Sequence, residues 1–173
     1  MEIHKGTQED VDKVSALYDE LCDYLECHVN YPGWLKGIYP IREDAQQGID
    51  KGDLFVAVEN GDIAGTIILS HQPEEAYNQA DWHNNLDYDD IFVIHTFAVH
   101  PDYLHKGVGK RLMEFAIEYS VKMNMKAIRL DVYENNTPAI CLYEKMGFEY
   151  IDKADLGYGK YGLDWYKLYQ RIL

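Results

Sequence analysis

The stretch 91–133 constrains the fold more than any other part of this 173-residue chain. It opens on an unbroken β-rich run, IFVIHTFAVH (91–100), the pattern of a strand buried on both faces. The chain then bends through Gly107 and Gly109. Residues of about 108–123 place Leu112, Phe115, Ala116 and Tyr119 on one side and Glu114, Glu118 and Lys122 on the other, which predicts an amphipathic helix. KAIRLDVY (126–133) is a second β-rich run. A strand without a polar face needs other elements packed over it, so the expectation is a layered α/β chain.

The flanking segments agree. Thr7 with Asp10 predicts a helix start, followed by Val11, Val14, Leu17, Tyr18, Leu21 and Leu25 at helical spacing. The segment 30–40 (NYPGWLKGIYP) is turn-rich, and Ile41 to Lys51 suits a short helix. Residues 53–70 read as a hairpin about Asn60-Gly61. Residues 71–90 are polar and aromatic, a loop with a helical turn. In 135–148, Thr137 suits a helix cap, Pro138 its first position and Gly147 its end. FEYIDKA and LDWYKLYQRIL predict two last strands. With no linker or repeat, one domain over 1–173 is expected.

The charge of −14, from 30 acidic and 16 basic residues, argues against a nucleic-acid partner. It is compatible with a cationic substrate. Cys22, Cys27 and Cys141 have no metal-ligand spacing and no even framework; no metal is expected, and reduced thiols suggest a cytoplasmic protein. The opening residues do not read as a signal peptide, and no apolar run is long enough to span a membrane, so no membrane partner is expected.

The glycine turn carries the chemistry. A strand that turns into a helix aims several unpaired N–H groups at one spot, where the helix dipole adds positive charge. Glycine lets an anion approach the backbone. His105, Lys106, Lys110 and Arg111 gather cations there in an otherwise acidic chain. A phosphate-bearing ligand suits this turn, and a plain helix start suits it too. The Walker spacing and its Lys-Ser/Thr are absent, and Leu112 stands where a dinucleotide fingerprint needs its third glycine.

At this point residues 91–148 resemble the core of the GNAT acetyltransferases. The family's Q/R-x-x-G-x-G/A turn matches Leu104, His105, Lys106, Gly107, Val108 and Gly109, with Leu104 departing from the usual Gln or Arg. Its second motif, Asn-x-x-A-x-x-L-Y-x-x-x-G-F, matches Asn136, Ala139, Leu142, Tyr143, Gly147 and Phe148. The resemblance implies a GNAT fold: a mixed, mostly antiparallel sheet of six to seven strands, splayed at the cofactor and flanked by helices. It implies acetyl-CoA, with its pyrophosphate on the turn through Lys110 and its arm beside Phe97, Ala98 and Val99.

The reaction it implies is direct acetyl transfer to a primary amine. Tyr143 would give its proton to the leaving thiolate and Asn136 would bond the cofactor arm; a core aromatic and a helix cap are the plain alternatives. A backbone N–H near Phe97 or Ala98 would stabilise the oxyanion. His95 is the candidate base, because some members, serotonin N-acetyltransferases among them, carry histidine on this strand; Val93 stands where others carry glutamate. A packed histidine is the alternative, with Asp90 or a water chain then in its place. Trp34, Tyr39, Tyr77, Trp82 and Trp165, with Asp87, Asp89 and Asp90, suit a cationic acceptor, packing being the plain alternative for each aromatic. A small-molecule amine is the leading acceptor. A protein N-terminus or lysine, or a non-catalytic acyl-CoA-binding regulator, are the alternatives. Acyl length stays open, as does a homodimer.

Overall fold

The computed structural model describes every residue, Met1–Leu173. The elements are β1 (Glu2–Lys5), α1 (Val11–Cys27), α2 (Arg42–Asp50), β2 (Leu54–Glu59), β3 (Asp62–Ser70), β4 (Ile91–Val99), α3 (Val108–Lys122), β5 (Ala127–Tyr133), α4 (Thr137–Lys145), β6 (Glu149–Ala154) and β7 (Tyr166–Ile172). The strands form one seven-stranded sheet in the order β1-β2-β3-β4-β5-β7-β6. β4 and β5 are parallel, while β1–β2, β2–β3, β5–β7 and β6–β7 are antiparallel. This is the mixed, mostly antiparallel α/β sheet expected. The backbone gathers into two compact units, one of 1–30, 34–69 and 95–116 and one of 31–33, 70–94 and 117–173.

In the first unit, Thr7 and Asp10 close the start of α1: the Thr7 N–H and hydroxyl both donate to Asp10 Oδ2 at 2.8 Å. A short 3-10 turn over Gln8–Asp10 leads into the helix. All six apolar positions read from the sequence are buried, because helical spacing brings them to one face. All but Val11 pack with Ala45, Leu54, Val56, Ile63 and Ile68. The β2–β3 turn has Asn60 and Gly61 at φ 54° and 90°, the left-handed conformation a two-residue hairpin needs.

In the second unit, β5, β7 and β6 carry the loop 71–90. The anchor is Arg129, 2% exposed on β5. Its Nε donates to Gln170 Oε1 and its Nη2 to Asn84 Oδ1, both at 2.9 Å. The guanidinium lies 4.1 Å from the Trp82 ring centroid and 5.1 Å from that of Tyr88. Amide oxygens and aromatic faces thus stabilise a buried cation. Tyr77, Trp82, Val93 and Leu168 pack beside it. The loop has two 3-10 turns, Glu75–Gln79 and Tyr88–Asp90, rather than one helical turn.

One expected boundary moves. The helix read over 135–148 spans Thr137–Lys145, and Asn136, not Thr137, is its cap, accepting from the Ala139 N–H at 3.4 Å. Thr137 is the first helical residue and Pro138 the second. Pro138 lacks an N–H, so the cap one residue earlier leaves no intrahelical bond broken. Gly147, at φ 81°, ends the helix as expected, with the Phe148 N–H donating to the Tyr143 carbonyl at 3.0 Å.

Candidate active site

Strand β4 changes character along its length. Ile91 to Ile94 are all buried, and they pair with Ala127 to Leu130 of β5. From His95 onward, half-buried His95, Phe97 and Val99 alternate with buried Thr96 and Ala98. Thr96 has φ 41°, a positive value that a β-branched residue inside a strand does not otherwise adopt. Its hydroxyl and the Tyr39 hydroxyl lie 2.6 Å apart in a hydrogen bond. Trp34 stands edge-on to Tyr39, ring centroids 5.6 Å apart. The structure therefore brings Trp34 and Tyr39 together and ties them to the residue after His95. Thr96 was missed in the sequence, since nothing in a β-rich run marks a left-handed residue.

The turn that follows β4 is tightly built. His100 Nδ1 accepts from the Asp102 N–H at 3.1 Å, and its Nε2 donates to Glu20 Oε2 at 2.9 Å. The Leu104 N–H donates to the Pro101 carbonyl at 3.2 Å and the Lys106 N–H to the Tyr103 carbonyl at 3.3 Å. His105 at φ 60° and Gly107 at φ 83° are both left-handed. α3 then begins, with the Arg111 N–H on the Gly107 carbonyl at 3.0 Å. The first-turn N–H groups of a helix have no intrahelical acceptor, so Val108, Gly109 and Lys110 present theirs at this end. A Cβ built on Gly107 meets no atom within 4 Å, so glycine there answers to φ and keeps open space beside the N–H row.

His105, Lys106, Lys110 and Arg111 are all exposed around the turn. Lys106 Nζ lies 5.3 Å from the Tyr103 ring centroid. Lys110 and Arg111 both reach Glu114, at 3.4 Å and 3.6 Å. Leu104 is half-buried, and Val108 is buried, so Val108 offers only its backbone outward. An N–H row, two left-handed residues and exposed surface cations fit a pyrophosphate.

In the second unit, Tyr143 is 6% exposed on α4, and Asn136 caps that helix. Burial pushes the Tyr143 phenol well above the usual tyrosine range, and the Asp131 carboxylate adds to the effect. Asp90 is exposed at the N-terminal end of β4, and its carbonyl accepts from the Lys126 N–H at 2.7 Å, ahead of β5. Trp82 is 6% exposed and donates from Nε1 to the Tyr77 carbonyl at 2.9 Å. Tyr77 is fully buried and donates to Asp131 Oδ2 at 2.7 Å. The structure thus places these two aromatics inside their unit, whereas Trp165 is exposed with Lys153 over its ring at 4.6 Å. Asp131 is a residue that reading the sequence missed. The signal was Arg-x-Asp-x-Tyr at 129–133, a polar face on an apolar strand.

The Acetyltransferase (GNAT) family model covers residues 14–148. An uncharacterized N-acetyltransferase of Methanocaldococcus jannaschii is 29% identical over 76% of this chain and 57% of its own. The chain therefore spans just over half the length of that relative. An uncharacterized N-acetyltransferase of Bacillus subtilis is 26% identical, over 87% of this chain and 82% of its own. Among solved structures, a GNAT family acetyltransferase of Streptococcus agalactiae superposes with a TM-score of 0.82 at 21% identity, over 99% of this chain and 95% of its own. A ribosomal-protein-alanine N-acetyltransferase of Brucella melitensis superposes with a TM-score of 0.74 at 17% identity, over the whole of both chains.

Proposed function

Because the chain belongs to the GNAT acetyltransferase family, we propose that it moves an acetyl group from acetyl-CoA directly to the primary amine of a small molecule. The observation that carries the reading is the 104–110 turn. It combines left-handed His105 and Gly107, an open helix N-terminus and exposed Lys106 and Lys110, in a chain of net charge −14. Such a site holds phosphate through the backbone, which explains why Leu104 can replace a polar residue there. Acetyl-CoA, when bound, supplies an activated thioester.

The chain's own residues do the rest. The N–H groups at the start of α3, Val108, Gly109 and Lys110, hold the pyrophosphate, with the exposed Lys106 and Lys110 side chains beside them. The backbone at Phe97, Ala98 and Val99 orients the cofactor arm, and an N–H there stabilises negative charge on the carbonyl oxygen. His95, half-buried on β4, takes the proton of the incoming amine. Tyr143 holds a proton for the departing sulfur; its burial keeps the phenol protonated at any pH near neutrality. The free thiols of Cys22, Cys27 and Cys141 support a reducing, cytosolic setting. No helix is long and apolar enough to cross a membrane.

Gly107→Glu tests the reading. Glutamate brings a carboxylate to the N–H row and strains a residue at φ 83°. Calorimetry is expected to show acetyl-CoA bound to the wild type and at least about tenfold weaker binding to the variant. Equal affinity in a folded variant, or no thiol release from acetyl-CoA with any primary amine, would overturn it.

A further inference from the structure

The second unit carries a carboxylate set among tyrosines. Arg129, Asp131 and Tyr133 alternate along β5 and so share one face. Across the ladder stand Gln170, Leu168 and Tyr166 of β7. Arg129 is closed off by Gln170, Asn84 and Trp82. Asp131 and Tyr133 are only half-buried. The Tyr77 hydroxyl donates to Asp131 Oδ2 at 2.7 Å from the loop side. The Tyr133 and Tyr166 rings stand 5.9 Å apart, and Tyr158, 40% exposed, stands 5.9 Å from Tyr166.

We propose that Asp131 and the rings of Tyr133, Tyr158 and Tyr166 form the acceptor subsite, which takes a small primary amine with an aromatic body and no negative charge beside the nitrogen. This rests on the acetyltransferase reading above and names the substrate class. The spacing sets the size. Two residues along one strand face are about 7 Å, so an ammonium at Asp131 leaves room for a two-carbon link before a ring reaches Tyr133 and Tyr166. Tyrosine faces attract a cation and stack on an aromatic body. The field of Asp131 also extends through the cluster. After burial, it is the next cause that raises the phenols of Tyr77, Tyr143 and Tyr166, so the amine subsite and the proposed acid Tyr143 feel the same carboxylate. Glu74 adds negative charge near Tyr77 and Tyr166. Arg129, on the same strand face, is enclosed by Gln170, Asn84 and Trp82; of the lysines, Lys153 pairs with Glu134 at 3.6 Å and covers Trp165, and Lys160 covers Tyr161. An amine bearing a carboxylate would therefore meet repulsion here.

The test uses the full chain with saturating coenzyme A, which permits binding without turnover. The probes are 2-phenylethylammonium, phenylalanine and a short peptide beginning with phenylalanine. Wild type is expected to bind 2-phenylethylammonium at least about tenfold more tightly than phenylalanine. Asp131→Asn keeps an acceptor for the Tyr77 hydroxyl and is expected to lose both the affinity and the discrimination. Tyr166→Leu keeps apolar volume and is expected to weaken the aromatic amine while sparing hexylammonium. The proposal falls if wild type binds no cation, if Asp131→Asn binds as wild type does, or if the peptide binds as tightly as the free amine. Acetyl-CoA affinity and thiol release with a broad amine panel are measured alongside. If they persist, the acetyltransferase reading survives the loss of this subsite; if they are absent, that reading itself fails.

Discussion

Tyr143 lies on the inner side of α4, and its phenol is buried beside the influence of Asp131. Burial raises a thiol as it raises a phenol, so an acid and a leaving sulfur enclosed in similar surroundings remain matched. Tyr143→Phe is expected to lower turnover by about 10²–10⁴-fold, the usual contribution of a general acid, with acetyl-CoA affinity unchanged. Single-turnover kinetics beside calorimetry checks this, and equal turnover would leave Tyr143 a packing residue. In the same assay His95→Ala is expected to remove the acidic limb of the pH–rate profile, since only the neutral imidazole accepts a proton. If the limb stays and the melting temperature falls, His95 is structural. The sequence singles out Tyr143 by its motif position and His95 by its residue type on the strand. Thr96 carried no such sign, because a left-handed strand residue follows from the path of the whole backbone; Asp131 showed only as a polar position on an apolar strand, and the tyrosine over it is set by the fold.

In the first unit β3 passes close to β4 and α3 at Gly65. Gly65 stands where any Cβ would lie 2.8 Å from the Ala98 carbonyl, 2.9 Å from Leu112 Cδ1 and 3.2 Å from Val108 Cγ1. The first of these is backbone of β4, so it cannot rotate aside. Gly65→Ala is expected to cost about 1–3 kcal/mol, the scale of overpacking, and to weaken acetyl-CoA binding because Val108 opens the helix that follows the turn. Urea denaturation with parallel calorimetry measures both; a neutral substitution would show that α3 can shift at no cost. Helix and hairpin limits were readable from local chemistry, as at Asn60-Gly61 and Gly147, where glycine relieves a left-handed turn. The cap read at Thr137 lies one residue earlier, at Asn136, the helix-cap alternative for that residue, since asparagine and threonine cap almost equally well and the choice lies with the path of the chain before them.

At the scale of the whole molecule, tyrosine burial sets an alkaline limit. Burial first of all raises the phenols of Tyr18, Tyr77 and Tyr143 above their ordinary value. Below about pH 10 they are protonated in both folded and unfolded chains, and their contribution is complete. Above it the unfolded chain releases protons that the folded chain keeps, so stability falls by up to about 1.4 kcal/mol per pH unit for each. Denaturation at about pH 8 and about pH 11 is expected to show this loss, and Tyr18→Phe to reduce it; an unchanged slope in that variant would mean Tyr18 ionises freely. Sequence alone determined the order of elements, the α1 core positions, the glycine turn and the motif tyrosine. Each of these is written in residues close together along the chain, where helical or strand spacing and backbone freedom act locally. The tertiary structure alone decided that Tyr39 bonds Thr96, that Trp82 and Tyr77 turn inward over Arg129 and Asp131, and that Tyr133 meets Tyr166. Those pairings join residues tens of positions apart. A side chain's type limits its possible partners, but only the fold brings one of them within reach.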